Sequence, residues 1–434
     1  MTARFPPLDG VRKIAVLRPN AVGDFVFALP ALHALKQTYP QAELLFVGKA
    51  WHRVFLAGRP GPVDRVVEIP PVPGVGMPPP VPAAGGAGAP AGANADGHAR
   101  EHAAGYADAG AHEHANMRAE EQPGMHCNEQ DDEQANVHGD EQTGAHEIAR
   151  FIERMRGERF DLALQMFGGG RYSNPFLLRF GARLTVGMRA ADAPGLDRWL
   201  PYREPVNRRL ALLEVAALAG AWAGPTPMPE LAVTDIDRAC AAHVLPPQAG
   251  ERLVILQPGS TDPRRCWPAE RFAALSDMLA AEGACIAVNG SPAEAALVRE
   301  VTGRMRHRAT ALAGVLDLGG LCGLLERAAL VVSNDTGPLH LALALGVPSV
   351  GIFWLTNLLE GAPLQPSGLH AALSVRTRCP VCGQDNLVRR CAHDVSFVDE
   401  VALDEVASMA CAALAEAFGK GGKRGPGDCR TCAR

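Results

Sequence analysis

The stretch Leu330–Gly346 reads L-V-V-S-N-D-T-G-P-L-H-L-A-L-A-L-G. Leu330–Ser333 is a short, mostly apolar run of the kind buried on both faces of a parallel sheet. Asn334–Gly337 supply a tight loop, Pro338 suits the first helical turn, and Gly346 suits the helix end. Strand, loop and helix in that order form the repeating unit of an α/β fold. The same unit predicts a site. Backbone N–H groups at Thr336 and Gly337, with the positive end of the helix behind them, favour an anion such as a diphosphate. His340, one turn further in, is either simply packed or placed beside that anion.

The alternation extends in both directions. In the second half, strands are expected at Leu253–Gln257, Cys285–Asn289, Leu330–Ser333 and Ser349–Phe353, with helical patterns starting at Ala269, Glu294, Leu318 and Leu339. In the first half, Lys13–Pro19, Glu43–Val47, Val63–Ile69, a run from Phe160, and Arg183–Gly187 read as strands. Phe25–Lys36, Ile148–Arg156 and Arg208–Ala221 have the spacing of helices. Between the halves, Gly224–Pro229 contains three prolines and cannot continue a helix. The economical reading is two doubly wound domains facing a cleft. They span residues 1–223 and 224–418, the second closing on a C-terminal helix, with a flexible tail at 419–434.

Residues 72–146 interrupt this pattern. They are rich in His, acids, Gly and Ala, with few residues to bury, and are expected to form a disordered insert in the N-terminal domain. Seven of the 14 histidines fall here, partly in a threefold acid-Glu-Gln-x-x-x-His pattern. The repeat reads either as a metal-binding tract or as a tolerated loop expansion. Of the 434 residues 47% are hydrophobic and 21% charged, enough for two cores. The net charge of -5 conceals a division: Gly74–Glu147 holds 13 acidic and 2 basic residues, leaving 34 acidic and 40 basic elsewhere. An acidic insert of -11 thus sits in a chain otherwise at +6, a modest value that suits anionic small ligands and gives no reason to expect nucleic acid. The scattered single cysteines read as reduced and intracellular. No export signal is recognised, and Leu210–Trp222 is too short and carries Glu214, so a spanning helix is not expected.

Two further strand ends carry chemistry. In R-P-N-A-V-G-D (Arg18–Asp24), Asp24 reads either as a helix N-cap or as a general base at the cleft mouth. In Q-P-G-S-T-D-P-R-R-C-W-P-A-E (Gln257–Glu270), Ser260 and Thr261 offer hydroxyls, and Arg264 and Arg265 offer cations. The tandem arginines suit bidentate phosphate contacts, or else a solvated surface. Trp267 is expected to pack its helix. There is no G-x-x-x-x-G-K-[ST], no G-x-G-x-x-G after the first strand and no G-x-S-x-G, which argues against ATPases, dehydrogenases and serine hydrolases.

Taken in order, V-G-D-F-V-F-A-L-P-A-L, the P-G-S loop ending in W-P, G-S-x-x-E (Gly290–Glu294) and S-N-D-T-G-P-L-H resemble glycosyltransferase family 9. Its members add heptose from ADP-heptose to the lipopolysaccharide core. The resemblance implies an α/β GT-B architecture of two Rossmann-like domains, with acceptor on the N-terminal side and nucleotide sugar on the C-terminal side. It makes Asp24 the catalytic residue of an inverting transfer. It places Ser260 and Thr261 at the phosphates, Glu294 on the nucleotide ribose, Asp335 on the donor sugar, Thr336 and Gly337 on the diphosphate, and His340 in the same motif. Arg265 stands where the family typically has a lysine. Nucleotide-sugar donor and lipid-linked saccharide acceptor are the implied partners, with the protein cytoplasmic and peripheral at the inner face of the inner membrane. Another nucleotide sugar serving another glycan, and a catalytically silent sugar-nucleotide-binding or metal-buffering protein, are the alternatives.

Near the end, C-P-V-C (Cys379–Cys382), Cys391 and His393 have zinc-like spacing, and C-R-T-C follows at Cys429–Cys432. The adopted reading requires no cofactor and assigns no metal, a zinc ion at Cys379, Cys382, Cys391 and His393 being the minor reading. Lys420, Lys423 and Arg424 read as a solvated basic tail or as a contact for anionic lipid.

Overall fold

The structure is a computed structural model that describes residues 5–79, 132–222, 224, 226–365 and 367–419. Its first half contains β1 (Lys13–Leu17), α1 (Val22–Thr38), β2 (Glu43–Gly48), α2 (Ala50–Leu56) and β3 (Arg65–Glu68). Short strands β4 (Val72–Pro73) and β5 (Gly76–Met77) come next, then α3 (Asp132–Glu158), β6 (Leu162–Gln165), α4 (Ser173–Leu178), β7 (Leu184–Arg189), β8 (Arg198–Pro201) and α5 (Arg208–Leu218).

The second half opens with α6 (Asp235–Val244), β9 (Leu253–Gln257), α7 (Ala269–Ala281), β10 (Cys285–Val288), α8 (Ala295–Arg304) and β11 (Ala309–Ala311). It continues with α9 (Leu318–Arg327), β12 (Leu330–Asn334), α10 (Gly337–Ala344), β13 (Ser349–Trp354), α11 (Leu355–Gly361), β14 (Leu369–Ser374) and α12 (Leu403–Gly419).

Each half has a six-stranded sheet, in the orders β3-β2-β1-β6-β7-β8 and β11-β10-β9-β12-β13-β14. All pairings within both are parallel. Both follow the doubly wound order 3-2-1-4-5-6, so the order reverses between β1 and β6 and again between β9 and β12. The expected Rossmann-like architecture is present. Apolar runs explain the central strands: Val254 and Leu256 of β9 and Val332 of β12 are fully buried. Helix α1 packs on α5 and, across the cleft, on α10. Glycine allows that approach, because a Cβ at Gly23 would lie 3.3 Å from His340 Cδ2, and one at Gly337 the same distance from Val22 Cβ.

The expected disorder of 72–146 is corrected at both ends. Val72 and Val75 are buried at 8% and 1% exposure, and Val72–Pro73 pairs with Gly76–Met77, because these apolar residues close over the β1 side of the sheet. At the other end the backbone of α3 is already helical from Asp132, sixteen residues before the apolar face at Ile148 begins. The remainder of the insert, 80–131, lies outside the described residues, as do Cys429, Cys432, Lys420, Lys423 and Arg424. Cys240, Cys266, Cys285, Cys322, Cys379, Cys382 and Cys391 are free thiols. Among the described residues, no helix is long and apolar enough to cross a membrane.

Candidate functional site

Loops that leave β1, β9 and β12 meet at the two reversal points, where a doubly wound sheet leaves a crevice. The loop after β1 delivers Asp24. Its N-cap reading does not hold: α1 starts at Val22 after Ala21, and Asp24 lies in the first turn. The side chain is only 6% exposed and turns toward guanidinium groups instead. Arg18 Nη2 and Arg208 Nη1 reach the same carboxylate oxygen, Oδ1, at 3.1 and 3.3 Å. Arg18 also donates through Nε to the Asp24 carbonyl at 2.7 Å and through Nη1 to the Met166 carbonyl. Burial lowers the Arg18 pKa to about 10, against the opposing pull of Asp24, so it stays charged at neutral pH. Arg208 Nη2 donates to Glu360 at 2.7 Å. For Arg208, burial works against the charge, but Asp24 and Glu360 outweigh it and the pKa is raised.

The loop after β9 is built by side chains that fasten it to β12. Asn334 Nδ2 donates to the Pro258 carbonyl at 2.6 Å, and Asn334 Oδ1 accepts from Trp267 N at 3.0 Å. Trp267 is 1% exposed and meets Phe272 edge-on at 5.1 Å, a packing role as expected. The tandem arginines are not a solvated surface, being 3% and 4% exposed. They divide the work: Arg264 pairs with Asp262 at 2.5 Å, whereas Arg265 Nη1 reaches Asp335 Oδ2 at 3.2 Å. For the Asp262 carboxyl, burial acts to raise the pKa, yet hydrogen bonds and charge from Arg264 and Arg265 hold it below the ordinary value.

The loop after β12 behaves as the sequence implies. Thr336 is the N-cap of α10, with no side-chain cap, and Pro338 sits in its first turn. Gly346 follows the helix at φ 78°. His340 Nε2 lies 3.0 Å from Asp335 Oδ1, while its Nδ1 is buried without a hydrogen-bond partner among the described residues. Burial lowers its pKa, with Asp335 pulling the other way. Ser260 Oγ and Arg265 Nε are likewise buried and unpartnered in hydrogen bonding. Two of these atoms belong to Arg265 and His340, which line the crevice, and are of the kind a polar ligand there would complete.

Two cavities follow. One is lined by Asp24, Thr261, Arg265, Glu294, Asp335, Thr336, Gly337 and His340, with Asn357 and Glu360. Of the sequence-derived candidates, Ser260 and Arg264 are set back from it. Glu294 approaches the P-G-S loop so closely that a Cβ on Gly259 would fall 1.8 Å from its Oε1, and its Oε2 accepts from Ser291 N at 2.7 Å. The other cavity lies on the N-terminal side, between Arg18, Lys49, Met77, Tyr172, Tyr202, Arg203 and Arg208. Asp24, Arg208 and Glu360 border both. Sequence reasoning passed over Arg18, although it opens the quoted motif, and also Lys49, Arg208 and Glu360, for which the sequence offers no motif.

A separate group lies at the edge of the second half. Cys379, Cys382, Cys391 and His393 converge, their ligand atoms all within 4.8 Å of one another. The structure thus assembles the set that the minor reading named.

Two parallel sheets of one order, meeting at their reversal points around a shared crevice, define the GT-B class of fold. The sequence profile described as "Glycosyltransferase family 9 (heptosyltransferase)" matches residues 148–383, and the chain belongs to this family. The chain is similar to lipopolysaccharide core heptosyltransferase OpsX of Haemophilus influenzae, at 25% identity over 230 residues, 51% of this chain and 65% of that one. It is 31% identical over 111 residues to lipopolysaccharide heptosyltransferase 3 of Escherichia coli, covering 25% and 33% of the two. These matches span between a third and two thirds of the curated relatives' length. Among solved structures, a family 9 glycosyl transferase from Veillonella parvula shares the fold with a TM-score of 0.68 at 16% identity, over 94% of this chain and 99% of that one. The E. coli ADP-heptose lipopolysaccharide heptosyltransferase II gives 0.62 at 16% identity, over 93% and 99%.

Proposed function

We propose that the protein is an inverting glycosyltransferase that moves heptose from ADP-heptose to a lipopolysaccharide core acceptor. The observation that carries this reading is the position of Asp24, whose carboxylate borders both cavities. A base there can take the proton of an acceptor hydroxyl held on the N-terminal side while the donor lies on the other. The acceptor oxygen bonds to the anomeric carbon from the face opposite ADP. The bond from that carbon to the phosphate oxygen breaks, and ADP leaves with the electron pair. Arg18 and Arg208 orient the carboxylate. Arg265 and the α10 start at Thr336–Gly337 face the charge that grows on the leaving diphosphate, and do so inside a buried crevice where such groups act strongly.

In this reading Ser260 and Thr261 serve the phosphates, Glu294 the ribose, and Asp335, held between Arg265 and His340, the donor sugar. The step needs no cofactor. Residues 1–223 take the acceptor and 224–418 the donor. Cations and rings together in the N-terminal cavity suit the anionic saccharide of a lipid-linked acceptor, met peripherally at the cytoplasmic face of the inner membrane.

The test has two arms. A panel of nucleotide sugars is scored by thermal stabilisation, where ADP-heptose should raise the melting temperature most. Stabilisation by UDP-sugars alone would overturn the donor assignment. Transfer is then compared for wild type and Asp24→Ala, and unchanged turnover would remove Asp24 as the base.

A further inference from the structure

Between β14 and α12 the chain runs from Val375 to Ala402 without helix or strand, apart from a single bridge between Arg378 and Asp385. A connection this long in a compact domain needs something to hold it. Its first part has almost no core: Val381, Leu387 and Val388 are 61%, 50% and 75% exposed, and Cys379 is buried at 3%. What converges there is chemistry. Three thiols and one imidazole lie within 4.8 Å of one another, spaced C-x2-C-x8-C-x-H. The turn is shaped for it, since Gly383 N donates to Cys379 O at 2.9 Å and Gly383 takes φ 71° directly after Cys382. Asn386 Nδ2 points at Cys391 Sγ from 3.6 Å, a neighbour of the kind that orients thiolate ligands. Independently, His393 Nδ1 is buried and has no hydrogen-bond partner among the described residues.

We propose that Cys379, Cys382, Cys391 and His393 bind one tetrahedral zinc or iron ion, and that this ion anchors a strap supporting the crevice loop that carries Arg265. The size fits. With metal–sulfur bonds of about 2.3 Å, tetrahedral sulfur edges are about 3.8 Å, so the ligands need to draw in by no more than ~1 Å. Three thiolates with one divalent ion and a neutral imidazole leave a single negative charge, and Arg378 and Arg389 in the same loop offset it, Arg390 being paired with Asp394 at 3.2 Å. Binding releases three thiol protons to solvent.

The strap begins three residues after His393. Ser396 Oγ donates to the Cys266 carbonyl at 2.8 Å, and Phe397 N donates to the Arg264 carbonyl at 2.7 Å. Trp267 Nε1 donates to the Val401 carbonyl at 2.9 Å. The backbone on either side of Arg265 is therefore pinned by a segment that Phe397, Val398 and Val401 seat on the core and that the metal would fasten at its N-terminal end. The coupling rests on the donor site proposed above, whereas the metal site does not.

The full chain is purified without chelator or metal-affinity steps, and metal is counted by plasma mass spectrometry in wild type, Cys382→Ser and Cys391→Ser. Because both cysteines are at least partly exposed, the variants should fold, which far-UV circular dichroism checks. Wild type should carry about one more equivalent of zinc or iron than either variant, a difference to which the histidines of the insert do not contribute. Equal metal in all three, or none in wild type, would overturn the site. As a second measurement, Co(II) added to the chelator-stripped wild type should give the absorption of tetrahedral thiolate–cobalt, absent in the variants; its absence in wild type would also count against the site. Loss of metal should weaken ADP binding at least threefold. Unchanged ADP affinity in metal-free protein would overturn the strap, and wild type that binds metal but no ADP would instead remove the proposed donor.

Discussion

The two halves share one strand order and place different chemistry at the same point of it. Where the first sheet reverses, a carboxylate is the centre and arginines serve it: Asp24 between Arg18 and Arg208. Where the second sheet reverses, an arginine and a helix start are the centre and carboxylates serve them: Arg265 between Asp262 and Asp335, beside the first turn of α10. A crevice at the reversal is a property of the topology, while its sign of charge is a property of a few side chains. The difference suits a reaction that needs a base on one side and anion stabilisation on the other.

The largest test of this contrast is Asp24→Asn. It keeps shape and removes the proposed base, and should lower kcat by roughly 10²–10⁴ with the donor KM little changed. A tenfold rise in donor KM with kcat intact would mean that the first crevice binds rather than reacts. Next comes Arg265→Gln, expected to lower kcat/KM by about 10²–10³ and to weaken ADP, as removal of one stabilising donor does elsewhere. If only ADP affinity fell, the arginine would hold the ground state alone. Gly259→Ala should be smaller. Its Cβ displaces the end of Glu294, so ADP affinity should fall about tenfold by calorimetry while the melting temperature moves little.

The smallest effect is on stability and also differs between halves. His52, fully buried below β2, has its pKa pushed well below 6.5 by burial, with Lys49 adding to it. For His340 burial likewise lowers the pKa, but Asp335 resists. Each group binds its proton less readily folded than unfolded. Its contribution is therefore present above pH 6.5 and is lost as pH falls below that value, by about 1.4 kcal/mol per pH unit for each titrating histidine. Urea unfolding at pH 7 and pH 5 should show the loss, and His52→Gln should flatten the slope more than His340→Gln. An equal or reversed order would mean that Asp335 does not protect the second site.

Much of this was readable from short stretches. The central strands β9 and β12 fall on their apolar runs, and α7 and α9 begin where the periodicity places them, because burial on both faces leaves a local hydrophobic signature. Edge strands β8, β11 and β14 were not foreseen. Strands β8 and β11 are short and contain no fully buried position to give such a signature, and β14 buries only two of its six residues. At the site, Thr261, Arg265, Glu294, Asp335, Thr336, Gly337 and His340 do line one cavity. Arg208 could not be found this way: it reaches Asp24 across 184 residues and Glu360 across 152, and its R-R-L context resembles any helix start.

The sequence by itself determined the alternation of strands and helices, the three loops that end strands at the crevice, and the acid-rich interruption, since each depends on neighbours a few residues away. Tertiary structure alone decided that Asp24 faces arginines rather than capping its helix, that Arg264 is spent on Asp262 while Arg265 is turned into the crevice, and that three cysteines meet a histidine. Those outcomes depend on which distant side chain a buried charge or thiol finds. Only packing settles that, because burial makes the partner obligatory without naming it.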